Sequence, residues 1–159
     1  ITKLSELVGS FRAVLFSPDH LQMIKDGPSL RRNYLDVAIS QIRPMYLYSL
    51  QKYNKILKNR NTLIKNAVEA CSQVENPEIQ VKVSVADDVT ISVSDNGPGI
   101  LPQVMEQIFI PFFTTKDGGS GIGLSLCRRI MQLHGGNITA SSTPGQGSCF
   151  SISVQTHKI

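Results

Sequence analysis

Two pairs of short alternating segments constrain this chain most. In residues 79–85, Ile79, Val81, Val83 and Val85 alternate with Gln80, Lys82 and Ser84; in residues 89–94, Val89, Ile91 and Val93 alternate with Thr90, Ser92 and Ser94. A period of two puts the apolar set on one face of a strand, and Asp87-Asp88 between the runs makes the pair a β-hairpin. Residues 137–142 and 148–154 form a second pair, joined by Thr143-Pro144-Gly145-Gln146-Gly147. Helical stretches are expected over about residues 59–71 and 121–134, the latter closed by Gly135-Gly136. This order predicts an α+β fold: a two-layer α/β sandwich whose sheet is mixed, mostly antiparallel, with helices on one face.

The rest of the chain is less regular. Leu4, Leu7, Val8, Phe11, Val14 and Leu15 recur at helical spacing, and Ser17-Pro18-Asp19 ends that helix. Residues 20–60 carry a poor pattern, interrupted by Pro28 and Pro44, with helical runs near 34–42 and 46–57. Beginning with Ile1 instead of Met, the chain reads as a piece of a longer protein. No apolar run approaches the ~20 residues that span a bilayer. Cys71, Cys127 and Cys149 lack metal-ligand spacing and read as reduced thiols of a cytoplasmic protein. The net charge of +4 is uneven: between Asp19 and Lys65 lie nine Lys/Arg against three acidic residues, together with all four tyrosines. That mixture is compatible with nucleic acid. Without a recognition motif it reads as a solvated helix face or a protein-docking surface.

Three motifs carry chemistry. Asp95 continues the apolar side of its strand, and Asn96-Gly97-Pro98-Gly99-Ile100 follows it. A carboxylate aimed with core side chains needs a reason; it can accept a hydrogen bond from an exocyclic amine, such as that of adenine, where guanine carries an oxygen. The bland alternative is an aspartate that initiates a turn. Gly118-Gly119-Ser120-Gly121-Ile122-Gly123-Leu124 opens a helix and offers backbone N–H groups to phosphate. It is neither a P-loop, since no Gly-Lys-Ser/Thr follows, nor a dinucleotide fingerprint, since no βαβ unit surrounds it. In Thr62-Leu63-Ile64-Lys65-Asn66-Ala67-Val68-Glu69-Ala70, Asn66 lies on the same helical side as Thr62 and Glu69 or Ala70. Its amide oxygen suits Mg²⁺ when substrate phosphates supply further oxygens; taken alone, it would be a helix-surface residue.

Together these residues resemble the catalytic, ATP-binding domain of bacterial two-component sensor histidine kinases, in the superfamily of gyrase, chaperone, histidine kinase and mismatch-repair ATPases (the Bergerat fold). The resemblance covers about residues 61–154. It rests on the asparagine box around Asn66, the first glycine box (Asp95, Gly97, Gly99), Phe112-Phe113-Thr114-Thr115-Lys116, the second glycine box (Gly119, Gly121, Gly123) and Gly145-Gln146-Gly147-Ser148. Phe112 to Lys116 and Leu133-His134-Gly135-Gly136 resemble the nitrogen-regulator-like branch. The resemblance implies ATP and Mg²⁺ as cofactors, with Asn66 as catalytic residue and metal ligand. It implies a nucleotide site of Asp95, Gly97, Gly99, Ile100, Phe109, Thr114, Thr115, Lys116, Gly119, Ser120, Gly121, Ile122, Gly123, Leu124 and Ser148. Ile100, Ile108, Phe109 and Leu124 are equally compatible with the core, and Lys116 with a solvated position.

Two departures refine the expectation. Hydrolysing members carry a general-base glutamate four residues before the asparagine; here Thr62 stands there, which favours phosphoryl transfer to a protein. Glu69, on a neighbouring face, is a reserve for that role. None of His20, His134 and His157 sits in an acceptor pattern. The expected domains are therefore residues 1–16 as the end of a dimerisation helix or linker, and 17–159 as the catalytic domain, with 17–60 matching poorly. The implied partners are ATP or ADP, a histidine-bearing dimerisation domain and a response-regulator receiver domain. The full-length protein would be a homodimer, with no nucleic acid and no membrane contact by this segment. The rivals are an anti-sigma-factor-type serine kinase of the same fold, against which Ala70 stands where a histidine is frequent, and a non-catalytic ATP-sensing or partner-docking module.

Overall fold

The computed structural model describes Lys25, residues 27–116 and residues 118–155. The helix expected over residues 2–15, its break at 17–19, His20 and His157 lie outside the described residues. The chain divides into two compact units, residues 1–54 and 55–159.

In the first unit, helix α1 (Pro28–Ile42) starts on Gly27 with Pro28 in its first turn, where a missing N–H costs no hydrogen bond. It stops because Arg43 precedes a proline and is driven to the extended region, at φ −129° and ψ 92°. Pro44 then opens helix α2 (Pro44–Ala70). Tyr46 Oη donates to Asp36 Oδ1, and this bond holds the Tyr46 hydroxyl above its ordinary pKa. Among the described residues of this unit only Ser40 is buried; Leu35, Ile42, Met45 and Tyr53 are all more than half exposed.

Helix α2 runs on to Ala70 because nothing after Pro44 breaks it, so the helix expected from residue 59 is the C-terminal part of a longer one of 27 residues. In the second unit it buries Asn59, Leu63 and Ala67, a single stripe at spacing four. Strands β1 (Ile79–Val85) and β2 (Asp88–Asp95) form the first hairpin. A short helix α3 (Pro102–Met105) and helix α4 (Gly123–Leu133) follow. Strands β3 (Gly136–Thr143) and β4 (Gly147–Gln155) form the second hairpin. The sheet order is β1-β2-β4-β3, and all three pairings are antiparallel, so the sheet is not mixed.

The register explains the layers. Val93 faces Phe150 and Ile91 faces Ile152 across β2 and β4, while Ile138 faces Ile152 across β3 and β4. These side chains share one face and form the core with Leu63 and Ala67 of α2, Ile108, and Cys127 and Met131 of α4. The other face is polar, as where Ser92 and Ser151 hydrogen-bond at 2.8 Å. Edge strand β1 is exposed along its whole length, its valines included. Helix α4 begins two residues later than its sequence pattern suggested, since Gly121 has φ +65°. It ends where Gly135, at φ +67°, donates to the Gln132 carbonyl.

Candidate functional site

The face of α2 formed by Thr62, Asn66, Glu69 and Ala70 is where the motifs meet. A Cβ placed on Gly97 would lie 3.1 Å from Ala70 Cβ, and one placed on Gly123 would lie 3.4 Å from Thr62 Cγ2. Lys116 Nζ donates to Glu69 Oε2 at 2.5 Å. The loop after β2, the start of α4 and the segment before the second glycine box therefore border one helical face, with half-buried Asn66 between its ends.

Asp95 ends β2 with 9% of its surface exposed, paired with Ser148 of β4 and Ile79 of β1. Its Oδ1 accepts the Gly97 N–H at 3.0 Å, an aspartate turn that fixes the carboxylate against its own loop. Asp95 thus initiates the turn and is a carboxylate held at the core edge. Gly99 is required twice over. Its φ is +71°, and a Cβ there would come 2.3 Å from the Thr143 carbonyl oxygen. That approach docks the loop onto the β3–β4 turn, where Gly145 N–H donates to the Pro98 carbonyl at 2.8 Å.

Two residues that the sequence reading did not single out hold this corner. Ser142 Oγ accepts the Ile100 N–H at 2.8 Å, donates to the Gly147 carbonyl at 2.7 Å and lies 3.2 Å from the hydroxyl of buried Ser148. Asn96 donates through Nδ2 to the Asn76 carbonyl and accepts the Glu78 N–H on Oδ1, both at 2.8 Å. It staples the loop to the connection between α2 and β1. The signal for Asn96 was present in its place between Asp95 and Gly97; Ser142 had none, because it acts through pairing that only the folded hairpin creates.

Local hydrogen bonds shape the polar, glycine-rich segment from Thr114. Phe112 N–H donates to the Gly121 carbonyl at 3.0 Å, Thr114 Oγ1 accepts the Lys116 N–H at 3.1 Å, and Gly119 N–H donates to the Lys116 carbonyl at 3.1 Å. Phe112 sits at φ +67° with its ring 76% exposed, an uncommon conformation for a bulky residue. Thr115, Gly118, Gly119 and Ser120 are exposed. Helix α4 starts at Gly123 with no side chain capping its first N–H groups.

Other expected site residues are placed elsewhere. Phe109, Ile100 and Leu124 pack against the core. The Arg128 guanidinium sits over the Phe109 ring, 5.3 Å from its centroid. Phe109 and Ile122 line a shallow cleft of about 360 Å³ on α4 with Pro111, Ser125, Leu126 and Arg129. Thr62 donates its hydroxyl to the Lys58 carbonyl at 3.1 Å. Burial pushes the Cys127 thiol above its ordinary pKa, opposed by Thr62 and Lys58 nearby. Glu69 is held below the usual carboxylate range, first by its hydrogen bond to Lys116.

The profile of the family described as histidine kinase-, DNA gyrase B-, and HSP90-like ATPase matches residues 60–158, well over half of the chain. The chain belongs to this family. As a member it is an ATP-binding domain, and its four-stranded α+β sandwich is the family fold. Among solved structures this ATPase domain is similar to the catalytic domain of histidine kinase ThkA, at 36% identity and a TM-score of 0.56, covering 64% of this chain and 66% of that one. The mycobacterial sensor histidine kinase MprB shares the fold at 21% identity and a TM-score of 0.57, covering 64% and 72%. Full-length ShkA, solved in complex with AMPPNP, aligns at 27% identity and a TM-score of 0.56, covering 63% of this chain and 21% of that one. Curated relatives carry another name. The DNA replication and repair protein RecF of Ruminiclostridium cellulolyticum is 53% identical over 66 residues, which is 42% of this chain and 18% of that protein. RecF of Thermoanaerobacter sp. is 52% identical over 73 residues, or 46% and 20%. The chain spans about a fifth of these relatives.

Proposed function

We propose that the second unit is the catalytic domain of a two-component sensor histidine kinase of the nitrogen-regulator-like branch, transferring the γ-phosphoryl group of Mg·ATP to a histidine outside this chain. One observation carries the reading: Asp95 with Gly97, Lys116 and the start of α4 all border the α2 face that holds Asn66.

The residues fit the cofactors. Gly97 and Gly99 let the loop approach Ala70 and the Thr143 carbonyl closely, which holds in place a carboxylate suited to the adenine amine. Uncapped N–H groups at the start of α4 and the Lys116 ammonium suit phosphates. The Asn66 amide oxygen, with the nucleotide's own phosphate oxygens, suits Mg²⁺. Bound Mg²⁺ would neutralise charge on the β- and γ-phosphates. Asp95 selects the base, with Ser148 paired beside it. Thr114, Thr115, Gly119, Ser120, Gly121, Ile122 and Gly123 form a lid over the phosphates and its hinge into α4, and Ile100, Phe109 and Leu124 support them from the core side. Thr62, an alcohol bonded to the Lys58 carbonyl, takes no proton from water at neutral pH, which supports a protein acceptor over hydrolysis.

The test is phosphotransfer. With γ-labelled ATP, the chain plus a histidine-bearing dimerisation domain should yield acid-labile, base-stable phosphohistidine. Acid-stable label on a partner would favour a serine kinase, and no label on any acceptor a sensing module.

We infer further that the RecF-like stretch begins in the first unit and runs past residue 60, since its 66 residues are more than the 59 that precede the family match. On this reading the catalytic domain begins near residue 60. Cleavage between the units should leave ATP affinity unchanged; loss of binding would overturn the division. The cytoplasmic, receiver-paired and homodimeric setting belongs to the same proposal, as does the absence of nucleic-acid binding, which a gel-shift assay with duplex DNA checks.

A further inference from the structure

We propose that Glu69 is a positioning residue for the lid: its carboxylate holds Lys116 on the α2 face next to Asn66, and the phosphates of an incoming nucleotide must take the lysine from it. This rests on the nucleotide reading above and extends it to a residue assigned no role there.

The contact joins groups 47 residues apart in sequence, so it is tertiary and not a consequence of helix spacing. Glu69 stands three positions after Asn66, within reach of the same space. Lys65, one turn earlier, lies 3.7 Å from the other Glu69 oxygen, so two ammonium groups converge on one carboxylate. The backbone of Lys116 is itself fixed, by Thr114 Oγ1 on its N–H and by the Gly119 N–H on its carbonyl. The segment therefore presents this side chain from a defined position. Glu69 sits below its ordinary pKa, chiefly through Lys116, and so is charged at neutral pH.

The pair is partly open to water, with side chains 45% and 41% exposed. An exposed ion pair is weak, and a triphosphate offers the lysine far more negative charge. Glu69 thus sets a modest threshold for engaging Lys116 and adds repulsion toward the phosphates while unpaired. Both effects predict that neutralising Glu69 tightens ATP binding.

The test is a double-mutant cycle read by titration calorimetry with ATP and Mg²⁺, on the full chain. E69Q should tighten ATP binding about two- to five-fold. K116M should weaken it, and E69Q added to K116M should gain little. The E69Q gain should shrink in 0.5 M salt, at about 4 Å screening length. If E69Q weakens binding in both backgrounds, Glu69 contributes directly to the metal or the reaction and the proposal fails. Equal affinity of E69Q and wild type overturns it as well. If no variant binds ATP, the nucleotide reading itself fails. Amide exchange at Thr115 and Lys116 then decides the contact alone: faster in E69Q supports it, and an unchanged rate overturns it.

Discussion

Replacing Asp95 by asparagine isolates the base-reading step, because the substitution changes charge and donor pattern while keeping shape. In the structure Asp95 Oδ1 accepts the Gly97 N–H at 3.0 Å, and an asparagine Oδ1 can keep that bond. The side-chain nitrogen of the variant then occupies the place of Oδ2, the oxygen assigned to the adenine amine. A charged acceptor is lost, and two donors are left facing each other at a site where Asp95 is only 9% exposed. Little water reaches such a position to compensate. A hydrogen bond to a charged group contributes roughly 1.5–3 kcal/mol, so ATP and ADP affinity should fall about 10- to 150-fold. The donor conflict places the expectation in the upper half of that range. Titration calorimetry with ATP, ADP and GTP measures it, and a thermal melt within about 2 °C of wild type confirms that the turn survived. Wild-type protein should prefer ATP to GTP, and the variant should lose most of that preference. An unchanged affinity, or equal binding of ATP and GTP by the wild type, would leave Asp95 as a turn initiator and nothing more.

Asn66→Ala should abolish Mg²⁺-dependent phosphotransfer to an added acceptor domain while leaving the melting temperature nearly unchanged, since Asn66 is only half buried; transfer at the wild-type rate would make it a surface residue. Leu63→Ala removes a side chain with 0% exposure from the middle of the core and should cost about 2–5 kcal/mol in denaturant unfolding. Cys127, 2% exposed and with its pKa raised by burial, should resist iodoacetamide in the folded protein. Its thiolate fraction grows only above the ordinary thiol range, so labelling faster than at half-exposed Cys149 near pH 8 would contradict the packing. The chain alone should bind ATP yet hydrolyse it barely at all, and vigorous phosphate release would move it toward the hydrolysing relatives.

The sheet and the helical stretches at residues 59–71 and 121–134 were legible because their patterns are local. Alternation in β1 and β2 fixes which residues share a face, and the register observed pairs those same residues across the sheet. Asp95 was legible for the same reason: it falls on the core side of its strand, where a carboxylate is out of place. Glycines marked the second box, and φ +65° at Gly121 is the conformation that glycine alone adopts freely. Ser142 and the Lys116–Glu69 pair were not legible, because each depends on a partner that only tertiary folding brings near. Nor was the exposure of β1, since alternation states which side is apolar and not whether a helix covers it.

The least legible region, residues 17–60, failed for a different reason. Its only patterns are short helical runs near 34–42 and 46–57, interrupted by Pro28 and Pro44. The structure has helices there, and α2 continues without a break through residues 54 and 55, where the compact units divide. Helical periodicity cannot mark such a division. Hydrogen bonds between residues four apart propagate across any junction that lacks proline or glycine, and none stands between Pro44 and Ala70. What does mark it is burial. The α2 stripe of Asn59, Leu63 and Ala67 is buried, whereas the described residues before 54 bury one serine and leave large apolar side chains exposed. A domain of this size that folds for itself hides such residues. The chemistry proposed for the chain therefore rests on the second unit, where the motifs and the buried stripe of α2 lie.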